Sequence, residues 1–121
     1  MERALIVSGS EKGIDAVAQL LKNAGYSQIT SINSGSEARR LINTTEYEII
    51  VINTPVSDDF GHELAVMMSE SSTAGIILIC RAEIADDVSD KVGEFGVCVV
   101  SKPLNRSVFH QSLKLVQATR A

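Results

Sequence analysis

Apolar positions fall along this chain in two alternating rhythms. Five short runs, RALIVS (residues 3–8), QITSI (28–32), YEIIVIN (47–53), GIILIC (75–80) and VCVVS (97–101), are rich in β-branched residues and read as strands. Three of them are almost continuously hydrophobic, as expected of strands covered on both faces of a parallel sheet.

Between the runs the period lengthens to that of a helix. Residues 11–24 carry Ile14, Val17, Leu20 and Leu21 at three-to-four spacing, with Gly25 as the stop. A second helix opens at Ser34, with Glu37 three positions on in the capping-box pattern, and presents Ala38, Leu41 and Ile42. A third follows Asp58 and Asp59 and shows Leu64, Ala65, Met67 and Met68; a weaker fourth covers residues 84–92 and ends at Gly93. The fifth starts after Asn105 as its cap, with Val108, Phe109, Leu113 and Val116 on the expected inner face.

Five β–α units in strict alternation predict an α/β three-layer fold with a parallel sheet and right-handed crossovers. For 121 residues the doubly wound, flavodoxin-like strand order 2-1-3-4-5 is the natural candidate. No repeat or linker interrupts residues 1–121, which read as one domain. The last helix runs into LVQATRA without a stop residue, so it is expected to continue into a longer protein.

Composition narrows the function classes. Hydrophobic residues make up 45% and charged residues 21%, which suits a globular domain. The net charge of -4 and a single adjacent basic pair, Arg39-Arg40, argue against a surface that grips nucleic acid. The opening MERALIVSG is too short in apolar residues for a signal peptide, and no run reaches membrane-span length. A cytoplasmic domain without membrane contact is therefore expected. Cys80 and Cys98 lie in strand-like runs without metal-ligand spacing and are expected to be buried, reduced thiols.

In open α/β sheets ligands bind at the carboxyl ends of the strands, where strand order reverses. The residues to inspect are therefore Ser8, Gly9 and Ser10, then Asn53 and Thr54, then Cys80 and Arg81, then Ser101, Lys102 and Pro103. The five-fold alternation, the loop NTPVSDDFG (residues 53–61) and the SKP that closes the fifth strand resemble the receiver domain of two-component response regulators over the whole chain.

In that family an aspartate ending the third strand accepts a phosphoryl group from a histidine kinase, and an acidic pair after the first strand helps it hold Mg²⁺. A Ser or Thr ending the fourth strand and a lysine ending the fifth contact the phosphoryl oxygens. Laid on this chain, the resemblance keeps only the lysine, Lys102, with Pro103 beside it. The acceptor position is Asn53, the acidic pair is Ser8 and Gly9, and the hydroxyl position is Cys80. Val99 stands where an aromatic switch residue is common.

These departures share one direction. A carboxylate is the nucleophile in aspartyl-phosphate formation, and an amide oxygen is far weaker. Mg²⁺ wants anionic oxygens, and Ser8, Gly9 and Asn53 supply no charge. The reading is a degenerate receiver, a signalling and interaction module without enzymatic activity, metal or cofactor. Asp58, Asp59 and Glu11 read as helix-start carboxylates rather than ligands. Lys102 is expected to donate to the Asn53 side-chain oxygen and to backbone carbonyls. GSEKG (residues 9–13) fits neither the P-loop nor the dinucleotide fingerprint; His62 and His110 read as ordinary helix residues, and Met67-Met68 as packing.

SEARRLI, FGHELA and the tail from SKP onward resemble response regulators that end in an ANTAR domain, a helical RNA-binding output for transcription antitermination. That implies RNA binding by a further domain and not by this one. The partners implied for this domain are proteins. In receivers the face of the fourth helix, fifth strand and fifth helix often dimerises. Here it would set Asp86, Asp87 and Asp90 against Arg106 and Lys114, in a homodimer or as a solvated face on a monomer. Two other readings stay open: a receiver phosphorylated at an unusual acceptor, and a small-molecule, nucleotide or anion sensor using the strand-end crevice.

Overall fold

A computed structural model describes residues 3–56 and 61–120. The elements alternate as the hydrophobic pattern predicts: β1 (Arg3–Ser8), α1 (Glu11–Asn23), β2 (Gln28–Ile32), α2 (Gly35–Ile42), β3 (Ile49–Asn53), α3 (His62–Ser71), β4 (Gly75–Cys80), α4 (Ala82–Val92), β5 (Cys98–Ser101) and α5 (Arg106–Arg120). A 3₁₀ turn, Gly93–Phe95, joins α4 to β5. All strand pairs are parallel, and the order is 2-1-3-4-5.

Side-chain caps set where helices begin. Ser10 Oγ accepts the Gly13 N–H (3.1 Å), Ser34 Oγ the Glu37 N–H (3.2 Å) and Asn105 Oδ1 the Val108 N–H (3.1 Å). Each cap fixes the entry angle of its helix onto the sheet. The third helix differs. Gly61, at φ 96°, precedes α3 with no side-chain cap.

The central strands are buried end to end, and their alternation feeds two cores. Leu5, Val7, Ile50, Ile52, Ile76 and Leu78 pack under the side that holds Ala38, Leu64, Met68 and Val88 from α2, α3 and α4. Ala4, Ile6, Ile49, Val51, Ile77 and Ile79 pack against Val17 and Leu21 of α1 and Phe109, Leu113 and Val116 of α5. Each fully buried Leu, Ile or Phe contributes about 1.5–3 kcal/mol, so this double-sided core is the main source of stability.

Two expectations need correcting. Val108 does not join the inner face of α5; it is 46% exposed, because the rotation that buries Phe109, Ser112, Leu113 and Val116 turns it outward. Cys98 is only half-buried, since β5 is an edge strand with a neighbour on one side. Among the described residues no helix is long and apolar enough to cross a membrane.

Candidate functional site

Parallel register brings the ends of β1 and β3 together, with Ser8 opposite Asn53 at the point where strand order reverses. Both side chains are buried, Ser8 fully and Asn53 to 6% exposure. A polar group taken out of water must find partners. Asn53 Nδ2 donates to Ser8 Oγ at 3.1 Å. The same oxygen accepts the Ser10 N–H (3.2 Å), and the Ser8 hydroxyl donates to the Ser10 carbonyl (3.4 Å). The cluster is neutral.

The first turn of α1 seals it. A Cβ built on Gly13 would lie 2.2 Å from Asn53 Nδ2 and 3.2 Å from Ser8 Oγ, so any larger residue would collide with the amide. Only glycine lets the α1 backbone sit this close. Gly9 is exposed, and its N–H donates to the Pro55 carbonyl (2.9 Å), tying the loop after β1 to the loop after β3.

The β4 and β5 ends form the other half of the mouth. The Thr54 N–H and hydroxyl both donate to the Ile79 carbonyl (3.0 and 2.8 Å), and the Lys102 N–H donates to the Cys80 carbonyl (2.9 Å). Lys102 Nζ donates to the Thr54 carbonyl. Its expected backbone partner is therefore present, while Asn53 donates its side-chain N–H to Ser8 and is not hydrogen-bonded to Lys102. Pro103, joined to Lys102 by a cis peptide, is exposed.

Cys80 ends β4 in a buried position, as its place in an apolar run predicts. Burial raises its thiol pKa, and the charge of Lys102 opposes that shift. The thiol is held protonated and poorly nucleophilic. Arg81 and Ser101 are exposed.

These residues do not fit a Mg²⁺ ion of the kind the receiver resemblance implies. Ser8 and Asn53 are neutral, Ser8 Oγ is already engaged by the Asn53 amide N–H and the Ser10 N–H, and neither residue offers the anionic oxygen that Mg²⁺ favours. Asp58 and Asp59 lie outside the described residues. Glu11 is an exposed first-turn residue of α1. Among the described residues no cluster of three or more His, Cys, Asp or Glu is placed to hold a metal.

One feature escapes the sequence. Eighteen positions separate His62 from Cys80, yet both line a cavity of about 210 Å³ between α3 and α4, with Asp87 and Lys91 at the same opening. Only the crossover from α3 through β4 to α4 brings them together, and neither residue carries a local signal of it. A second crevice, of about 380 Å³, opens beside Ser8 and Gly9 and is edged by Glu11 and Glu37. Those carboxylates disfavour the phosphates of a nucleotide.

No protein-family model matches the chain, and no curated protein sequence matches it. Solved structures do. The solution structure of the beryllofluoride-activated NtrC4 receiver domain dimer superposes with a TM-score of 0.86 at 21% identity, covering 100% of both chains. The signal receiver domain of a signal transduction histidine kinase from Syntrophus aciditrophicus gives 0.81 at 22% identity, over 98% of this chain and 92% of that one. A two-component response regulator from Clostridium difficile gives 0.83 at 20% identity, over 98% and 97%. Element order, strand order and these superpositions agree that the chain has the fold of a response-regulator receiver domain.

Proposed function

We propose that this chain is an atypical receiver module of signal transduction that carries its signal through protein contacts and takes up no phosphoryl group. The observation that carries the reading is Asn53. It stands at the acceptor position of the receiver resemblance, with its amide bonded to Ser8 and packed under Gly13. An uncharged amide is a poor nucleophile toward a phosphoryl donor, and the neutral pair Ser8 and Gly9 offers no charge to a metal. Lys102 is kept for a structural purpose, bracing the β3–α3 loop through the Thr54 carbonyl. The module acts without cofactor or catalysis, in the cytoplasm.

Its working surface is the face of α4, β5 and α5. Phe95 of the 3₁₀ turn and Val108 and Leu115 of α5 are exposed, at 37%, 46% and 57%, and would supply apolar contacts to it. Asp86 and Asp90 on α4 and Arg106 and Lys114 on α5 are exposed beside them, an acidic helix and a basic helix that a two-fold axis would bring together. The NtrC4 receiver is itself a dimer, which favours the same use here. A helical ANTAR-type output, following α5, would place RNA binding outside this domain.

Incubation with acetyl phosphate and Mg²⁺, followed by intact-mass measurement, tests the first claim. The expected result is an unchanged mass; a stable phosphoryl adduct would restore the reading of a receiver with an unusual acceptor. Sedimentation equilibrium tests the second. Leu115→Glu and Lys114→Glu are expected to shift a dimer to monomer, and a wild-type chain that stays monomeric at high concentration removes the dimer.

A further inference from the structure

The cavity between α3 and α4 combines an apolar floor with a charged mouth. Leu78, Cys80 and Val88 form buried walls, and Ile84 is half-buried beside them. Thr54 and His62 are half-buried at the opening, and Asp87 and Lys91 are exposed there. At about 210 Å³ it is smaller than the roughly 300–1,000 Å³ of drug-sized sites, which sets a limit on its occupant.

We infer that this cavity binds a small amphipathic monocarboxylate, a short branched or aryl acid with its apolar body on the floor and its carboxylate at the mouth. The floor offers aliphatic carbon and a protonated thiol, so it favours a body without hydroxyls. The mouth offers the ammonium of Lys91 and the imidazole of His62. His62 is also the first residue of α3, so the cavity opening adjoins the start of that helix. Asp87, one helical turn before Lys91, sets a negative charge at the rim. It disfavours a second negative charge on the ligand and so selects a monoanion over phosphate or a dicarboxylate. The site lies beside the Thr54–Lys102 brace and is walled by α4, so its occupancy bears on the seating of the helix whose other face carries Asp86 and Asp90. It does not depend on the inert state of Asn53, and either claim can fail alone.

Titration of the ¹⁵N-labelled chain with isovalerate and phenylacetate, with phenethylamine and inorganic phosphate in parallel, tests the site. Saturable shifts at His62, Ile84 and Val88 are expected from the two carboxylates only. Lys91→Met, an exposed change that leaves the core intact, should weaken binding about tenfold, as loss of a charge-assisted contact does. Ile84→Trp should fill the cavity and abolish the shifts, and Lys114→Met should leave them unchanged. Carboxylates that move no cavity resonance through the millimolar range, an amine or phosphate that moves them equally, or undiminished binding by Lys91→Met would each overturn the assignment.

Discussion

The two halves of the sheet mouth solve the same problem in opposite ways. At the β1–β3 end, the Asn53 amide N–H donates to Ser8 and α1 closes over the pair at Gly13. At the β4 end, Cys80 sits beneath a small cavity whose mouth holds an imidazole, an ammonium and a carboxylate. The same strand-end geometry thus gives a neutral, hydrogen-bonded pair between β1 and β3 and a small cavity with charged residues at its mouth beside β4. In the first half α1 comes close enough that Gly13 packs on the Asn53 amide, and in the second the cavity stays open between α3 and α4.

If the first half is structural, changing it must cost stability. The largest effect is expected from Gly13→Val, whose side chain would overlap the Asn53 amide and force α1 off the sheet. Overpacking of this kind costs about 1–3 kcal/mol, and urea denaturation should show a midpoint lowered accordingly. Ser8→Ala comes next. It removes the acceptor of both the Asn53 amide and the half-buried Ser10 N–H, leaving the buried Asn53 donor unpaired at a cost of about 1–3 kcal/mol. Wild-type stability in either variant would mean that the cluster is not bonded and packed as described.

Much of the fold is legible in the residues themselves. The short, β-branched apolar runs of β3 and β4 suit strands covered on both faces, and Ser34 and Asn105 mark helix starts by their chemistry, whereas the Ser10 cap emerges only in the structure. The pairing of Ser8 with Asn53 follows once strand order is known, because register places strand ends side by side. Less is legible where packing decides. Val108 obeys helical spacing as well as Phe109 does, and only the rotation of α5 on the sheet tells them apart. Gly13 gives no sign in sequence of its contact with a residue forty positions away. The partner of Lys102 is the Thr54 carbonyl, one residue beyond the Asn53 side chain expected to share it, and spacing alone does not separate two neighbouring acceptors.

Lys102 links the two halves, so its replacement sharpens the contrast. Lys102→Met removes a charge-assisted hydrogen bond from a half-exposed ammonium to the Thr54 carbonyl. Solvent screening keeps the loss to about 1 kcal/mol or less in urea denaturation. The same change removes the charge that opposes burial at Cys80, so the thiol pKa should rise further.

The smallest effect is a pH dependence confined to the β4 end. Burial leaves the Cys80 pKa in the folded chain above its ordinary value, with Lys102 opposing part of the shift. The unfolded chain then releases the thiol proton at a lower pH than the folded chain does. By linkage, the stability tied to this group is fully present below the ordinary thiol range. It declines as pH rises through that range, and the decline ends above the folded pKa. Cys80→Ala should flatten that alkaline slope in denaturation midpoints taken across the thiol range, and Lys102→Met should extend it to higher pH. A wild-type slope that survives Cys80→Ala unchanged would place the titrating group elsewhere. The pair of Ser8 and Asn53 contains no ionisable side chain, so Ser8→Ala should lower stability by the same amount at every pH across that range.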